Sequence, residues 1–340
     1  MADCCDNKGG GTVHVPKGNY SDVYPFAFAC DNLLLELATD AYITATTDKG
    51  AYDQSQPNFI YAENLNNIGL VSKGSGSIDG AGSAWWGESS TASHPYLVYF
   101  YHCTTVIVSQ ITLQNSAKLT LVPKPCDDVV ITDVTINNPY SSSSNNLDCI
   151  DPAGNNIHIK DCYLSCGDDN VAVKGPSSNV LVEDCYFGAG HGASVGSITD
   201  TVVTNVTFRN IRMNGTDNGC RIKTASGYSG GSVSDILFEN ITMDFVGHPL
   251  VIDGSYSSAA ADGSLSGSDS AKIFNVAFVD ITSTNSVKEV DLQCDSSEPC
   301  SNVTLRNVDL QPKHTPKCAY CYGSFEGTIY PEELEKCVLN

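Results

Sequence analysis

The chain has 340 residues, 41% of them hydrophobic, and carries 39 acidic against 18 basic side chains for a net charge of −21. This apolar content excludes intrinsic disorder, no apolar run approaches the roughly 20 residues of a membrane helix, and so few basic side chains exclude a general nucleic-acid footprint. An anionic substrate would need a local basic pocket set into a repelling field, so basic pairs beside catalytic-looking groups are informative. The length suits either two ordinary domains or one large repeat architecture.

Fifteen cysteines point to an oxidising compartment, some bridged and some buried as small hydrophobes, with the odd count leaving at least one unpaired. Sequons at Asn19, Asn205, Asn214, Asn240 and Asn302 agree with secretion. The plainer reading of each is a turn asparagine followed by a β-forming residue. Met1–Asp6 has neither the basic region nor the apolar core of a secretory leader. Secretion therefore requires a leader removed ahead of it, and the alternative is a protein kept inside the cell.

One pattern recurs along the chain: an Asn- or Asp-containing turn, then a β-rich stretch with alternating apolar positions. It begins at Asn66-Asn-Ile-Gly-Leu and continues through Cys103-Thr-Thr-Val-Ile-Val, Cys126-Asp-Asp-Val-Val-Ile and Asn155-Asn-Ile-His-Ile. Further copies start at Ser178, Asn205, Asp235, Asn275 and Asn302. With Val106, Val129, Ile157, Val180, Val206, Ile236, Val276 and Val303 as markers, the steps are 23, 28, 23, 26, 30, 40 and 27 residues. That is the period of a solenoid. Helical spacing is absent from the copies, and a leucine-rich repeat would need fixed Leu and Asn positions that are missing. An all-β, single-domain, right-handed parallel β-helix of roughly nine or ten coils is predicted over 1–340. Cys162 and Cys185, at equivalent places, are expected to be inward-facing thiols. The Ser-, Ala- and Gly-rich stretch from Ser255 to Ser270 reads as one long loop on a coil corner.

Chemistry concentrates between residues 145 and 225. Asp148 lies 20 residues before the pair Asp168-Asp169, close to one coil, which predicts neighbouring rungs of one face. Adjacent carboxylates can have their pKa values driven apart, one keeping a proton while another stays ionised. That division suits glycoside hydrolysis. The plainer reading of Asp-Asp alone is a solvated turn or part of a calcium site. Next comes Gly190-His191-Gly192, whose glycines leave the imidazole accessible; a phosphate loop would need a Gly-Lys-Ser/Thr that does not follow. Arg221 and Lys223 stand at i and i+2, on one face of a strand. In so acidic a chain they call for something anionic, whether structural acids or a uronate that Arg can grip bidentately.

The ordered set Asn146-x-Asp148, Gly167-Asp168-Asp169, Gly190-His191-Gly192 and Arg221-Ile222-Lys223 resembles the four signature motifs of the polygalacturonases, glycoside hydrolase family 28. The likeness extends to Gly9-Gly-Gly-Thr-Val-His-Val-Pro-Lys-Gly, Gly76-Ser-Ile-Asp-Gly-Ala-Gly with Trp85-Trp86, and Cys294 to Cys300, which is similar to a small disulfide loop of that family. The resemblance implies inverting hydrolysis of α-1,4-linked galacturonan without metal or cofactor. Asp168 would be the general acid, Asp148 and Asp169 would hold and deprotonate water, and His191 would tune the acid. Asn146, Arg221, Lys223 and Tyr256 would contact substrate; the plainer reading of Tyr256 is a loop tyrosine packed on its own coil.

The implied partners are polygalacturonate or pectin chains and proteinaceous inhibitors, with no nucleic acid and no membrane, on an extracellular monomer. Leu147 and Cys149 depart from the Thr and Gly usual around the first aspartate, so a more apolar pocket is expected there. Only Met1–Lys8 precede the family's opening strand, so the N-terminal cap is read as short or trimmed. Alternatives are rhamnogalacturonan or xylogalacturonan hydrolysis on the same scaffold, a calcium-dependent pectate lyase, or a non-catalytic glycan-binding β-helix.

Overall fold

The computed structural model describes residues 2–6, 9–53, 55, 57–87, 94–139, 146–227, 230–256 and 270–338. The chain is all-β, 60% strand and 5% helix, in parallel stacks. It divides into two compact units, Met1–Val171 and Ala172–Asn340. The long loop read between Ser255 and Ser270 lies, for residues 257–269, outside the described residues.

In the first unit each coil contributes strands to three parallel stacks. One runs Gly11–Val15, Leu33–Leu37, Asn66–Ser72, Thr104–Ser109, Cys126–Thr132 and Gly154–Lys160. A second runs Gly18–Val23, Ala41–Ala45, Ser77–Asp79, Thr112–Gln114, Thr135–Asn137 and Tyr163–Ser165. The third contains Phe26–Ala27, Asn58–Glu63, Tyr96–Tyr101 and Leu121–Pro123, and continues as single bridges through Ile150 and Val171. The stack reaches further toward the N-terminus than the copies read from the sequence: Leu33–Leu37 follows a bend at Asn32, at φ 56°, whose Oδ1 accepts from the Asn67 amide at 2.8 Å, and Gly11–Val15 pairs with it in turn. A single-turn helix, Ala2–Cys5, is tied to the first coils by the Cys5–Cys30 disulfide.

The second unit has two described parallel stacks. Ser177–Glu183 is followed by Val202–Asn214, Ser232–Asp244, Lys272–Thr284, Cys300–Leu310 and Cys321–Tyr330. On another face lie Ala193–Ile198, Asn218–Ala225, His248–Tyr256, Asp291–Gln293 and Lys317–Ala319. The repeat markers fall in register, Val106 on Val129 on Ile157 in one unit and Val180, Val206, Ile236, Val276 and Val303 rung on rung in the other.

Identical side chains therefore stack on themselves inside the coil. Phe208, Phe238 and Phe278 are fully buried, with successive ring centroids 5.3 Å apart and planes tilted by 11° and 5°. Each such ring stabilises the fold by about 1.5–3 kcal/mol through burial, with about 0.5–1.5 kcal/mol more from stacking. Cys162 and Cys185 are buried as expected, each thiol donating to a carbonyl two residues back.

The recurring Asn and Asp mark tight bends, where short polar side chains tolerate the left-handed backbone region. Asn179, Asn205, Asp235, Asn275 and Asn302 all have φ between 53° and 56°. Their side chains form a ladder: Asn205 Nδ2 donates to Asn179 Oδ1 at 2.6 Å, Asn275 to Asp235 at 3.0 Å and Asn302 to Asn275 at 2.9 Å. A parallel ladder links Asn210 to Asp184 and Asn240 to Asn210. Three of the five sequon amides, those of Asn205, Asn240 and Asn302, are thus donors within ladders.

Disulfides Cys294–Cys300 and Cys318–Cys337 brace the far end, the second holding the terminal helix Glu335–Val338 to the Lys317–Ala319 rung. Nine other cysteines of the described residues remain thiols, eight of them buried. Since Phe238 sits between two rings, Phe238→Ala should lower stability by about 3–5 kcal/mol, read as a fall in the urea midpoint of unfolding; an unchanged midpoint would show that the aromatic column is not what holds the coils.

Candidate active site

In the first unit the bridges Leu121–Ile150–Val171 set the register of three successive rungs. Counting back two residues along each strand brings Asp148 opposite Asp169, and the Cys149 N–H donates to the Asp169 carbonyl at 2.9 Å. Thr120 N–H likewise donates to the Asp148 carbonyl at 3.0 Å. The two carboxylates are thus on consecutive rungs, Asp148 only 4% and Asp169 only 1% exposed. Asp168 is half-buried, and its Oδ1 accepts the Asp169 N–H at 2.9 Å. Asn146 is exposed, at φ 58°, on the turn that leads into Asp148.

Buried polar groups shape this turn. Asn170 Nδ2 donates to the Leu164 carbonyl at 2.9 Å, closing the loop that carries the aspartates. The Cys166 thiol reaches the carbonyls of both Asp168 and Asp169, at 3.4 and 3.3 Å. Leu147 and Cys149 are fully buried, and burial followed by the adjacent Cys166 thiol pushes the Cys149 thiol well above its usual pKa, so it stays neutral. One rung earlier Asn138, Ser116 and Thr120 form a closed network, with Asn138 Oδ1 accepting from Ser116 N–H and its Nδ2 donating to Thr120. Beside it Lys118 places its ammonium 5.5 Å from the Tyr96 ring centroid. Burial lowers the pKa of Lys118, and the nearby Asp148 carboxylate pulls it back up.

In the second unit Gly192 has φ 84°, and a Cβ there would come within 2.0 Å of the Asn218 carbonyl. Only glycine lets the His191 turn lie this close to the next rung. The His191 Nε2 sits 3.4 Å from an Asp217 carboxylate oxygen. Ser194 is the register partner of Arg221, and the Arg221 Nε donates to its Oγ at 3.0 Å. Along Asn218–Ala225, Ile222 turns into the core between Arg221 and Lys223. Lys223 is 5% exposed, with its ammonium 5.2 Å from the Tyr256 ring centroid, a cation–π distance. Tyr256 therefore does more than pack on its own coil: it covers the lysine of the coil before it.

Next to the cations stands Asp253, the register partner of Lys223. Burial raises its carboxyl above the usual range and the Asp291 carboxylate raises it further, while the Ser255 N–H, Arg221 and Lys223 act to lower it. Sequence reasoning missed Lys118, Cys166, Asp217 and Asp253. Only a lone lysine in an acidic chain signals Lys118, and an Asp 30 residues, about one coil, after Lys223 signals Asp253.

The pattern of the glycosyl hydrolases family 28 matches residues 5–326. The chain belongs to this family. A polygalacturonase of Malus domestica is 28% identical over 342 residues, covering 96% of this chain and 73% of that protein. A probable polygalacturonase of Arabidopsis thaliana is 32% identical over 315 residues, covering 90% of this chain and 68% of that protein. Among solved structures, the polygalacturonase from Erwinia carotovora superposes with a TM-score of 0.81 at 25% identity, covering 94% of this chain and 90% of that one. The endo-xylogalacturonan hydrolase from Aspergillus tubingensis shares the fold, with a TM-score of 0.77 at 20% identity over 98% of this chain and 91% of that one. As a member of glycosyl hydrolases family 28 the chain is a glycoside hydrolase of polygalacturonase type.

Because the folded state holds the Asp253 carboxyl above its unfolded pKa, ionisation of Asp253 costs stability at neutral pH, and that cost disappears as pH falls below both values. Asp253→Asn should therefore raise the thermal midpoint at pH 7, by a gain that shrinks as the pH is lowered into the unfolded carboxylate range. A constant or growing gain in acid would contradict this.

Proposed function

We propose that this protein is a secreted polygalacturonase that hydrolyses α-1,4 bonds of galacturonan with inversion at the anomeric carbon. The observation that carries the reading is the in-register pair of buried carboxylates, Asp148 and Asp169, flanking the more exposed Asp168. Asp168, with the freest access to a ligand, is the general acid that protonates the leaving glycosidic oxygen. Asp148 and Asp169 hold a water and take its proton as it attacks the anomeric carbon from the opposite face. Each turnover leaves Asp168 ionised and the base pair protonated, and solvent restores both. The Cys166 thiol and Asn170 fix the turn so that the three carboxylates need no rearrangement during reaction.

His191 tunes the protonation of the acid, held in orientation by Asp217. Arg221 and Lys223 bind the carboxylate of the sugar beside the scissile bond, with Tyr256 and Asn146 as further contacts. Lys223 is buried against an aromatic face, which strengthens its pull on an anion relative to a solvated lysine. This reading treats 1–340 as a single catalytic domain. Secretion is supported by the three disulfides, which belong to an oxidising compartment.

Asp168→Asn should cut reducing-sugar release from polygalacturonate by at least about a thousandfold while leaving the thermal midpoint within a few degrees of wild type; retention of activity would remove Asp168 from the mechanism. The rate should peak below neutral pH, since the acid must be protonated while its partners are ionised, and a flat profile to pH 8 would contradict the acid–base pair.

A further inference from the structure

The register of the second unit orders charge along the outer face beyond the cationic pair. Arg221 is followed in its row by Val251, Asp291 and Lys317, and Lys223 is followed by Asp253, Gln293 and Ala319. The intervening residues Ile222, Ile252 and Leu292 are buried in the core, so the flanking rows share the outer face. Rungs are about 4.8 Å apart. Within about two rungs the face thus turns from two cations to two carboxylates and an amide.

A groove of about 370 Å³ is lined here by Val251, Asp253, Ser255, Tyr256, Asp291 and Gln293. Tyr256 is the same ring that covers Lys223, so the groove borders the cationic site through that ring. Gln293 Nε2 donates to Asp291 Oδ1 at 2.6 Å, fixing that carboxylate. The nearest cation on the far side, Lys317, is paired with Glu289 at 2.5 Å. A polyanion crossing this face meets attraction at Arg221 and Lys223 and repulsion immediately afterwards.

We infer that the groove beyond Arg221 and Lys223 is a subsite for a sugar unit without a free carboxylate, and that Asp291, with Asp253, sets this preference by like-charge exclusion. The inference rests on the polygalacturonase reading and adds a substrate class to it: galacturonan in which the unit lying in the groove is uncharged, as when it is methyl-esterified. Tyr256 and Val251 offer apolar surface to a sugar ring or an ester methyl, and Gln293 offers an amide to its hydroxyls. Specificity here comes from a repulsive element against the wrong ligand as much as from contact with the right one.

The test uses tetragalacturonate and a set of counterparts, each with a single methyl ester at a different unit. For one ester position the wild-type enzyme should show a kcat/KM at least about fivefold above that for the free acid. Asp291→Asn should bring that ratio toward one by improving the free acid, and Asp291→Lys should invert it. Thermal midpoints close to wild type identify both variants as folded. A wild-type ratio at or below one for every position, or a ratio that neither variant moves, would overturn the inference while leaving polygalacturonase activity standing. Failure of the folded wild-type enzyme to cleave any of these oligomers would overturn the polygalacturonase reading and the inference together.

Discussion

Every functional side chain of this protein depends on one constraint, the in-register hydrogen bonding of parallel strands from coil to coil. In such a stack a residue shares its direction with its partners above and below. The same constraint that puts Phe238 between Phe208 and Phe278 inside the coil puts Asp169 beside Asp148, and Asp253 beside Lys223. Chemistry is obtained by assigning charged residues to outward rows while the inward rows remain Val, Ile, Leu and Phe. The bends between strands are kept by Asn and Asp ladders, which satisfy their own side-chain amides and admit the positive φ that the turn requires.

Much of this was legible in the sequence because a stack repeats. The marker valines and isoleucines fall on one another in the structure, and Arg221 and Lys223 take the same side of a strand, as i and i+2 residues must. The earliest coils are the least legible: Leu33–Leu37 follows an Asp31-Asn32 bend that is laddered to Asn67, but the strand itself is a run of leucines rather than the Val/Ile alternation of the later copies, and its place is fixed by pairing with Gly11–Val15 and Asn66–Ser72. The asparagines of the sequons at Asn205, Asn240 and Asn302 stand at left-handed bends with their amides donating within the ladders.

The candidate site was legible in its residues but not in its supports. The spacing predicts Asp148 and the Asp168-Asp169 pair on neighbouring rungs, and the bridges through Ile150 and Val171 place Asp169 directly opposite Asp148, with Asp168 beside it on the same rung. Asp217 and Lys118 act on residues of adjacent coils, and Cys166 and Asn170 act through thiol and amide contacts to backbone carbonyls within the aspartate turn, which no residue pattern announces. The surplus of cysteines has a partial physical account: eight are buried thiols, and six are bridged in the pairs Cys5–Cys30, Cys294–Cys300 and Cys318–Cys337.

The acidic surface gives the cationic pair its meaning. In a chain of net charge −21, Arg221 and buried Lys223 mark a local basin for an anion, and Asp253 and Asp291 mark where that basin ends. The central claim is that the three aspartates carry out a single direct displacement by water. Proton NMR of the fresh reducing end, recorded during the first minutes of oligogalacturonate cleavage before mutarotation, tests it most directly. A β-anomer released from the α-linked substrate is the expected result; an α-anomer, or an unsaturated product absorbing in the ultraviolet, would contradict the account.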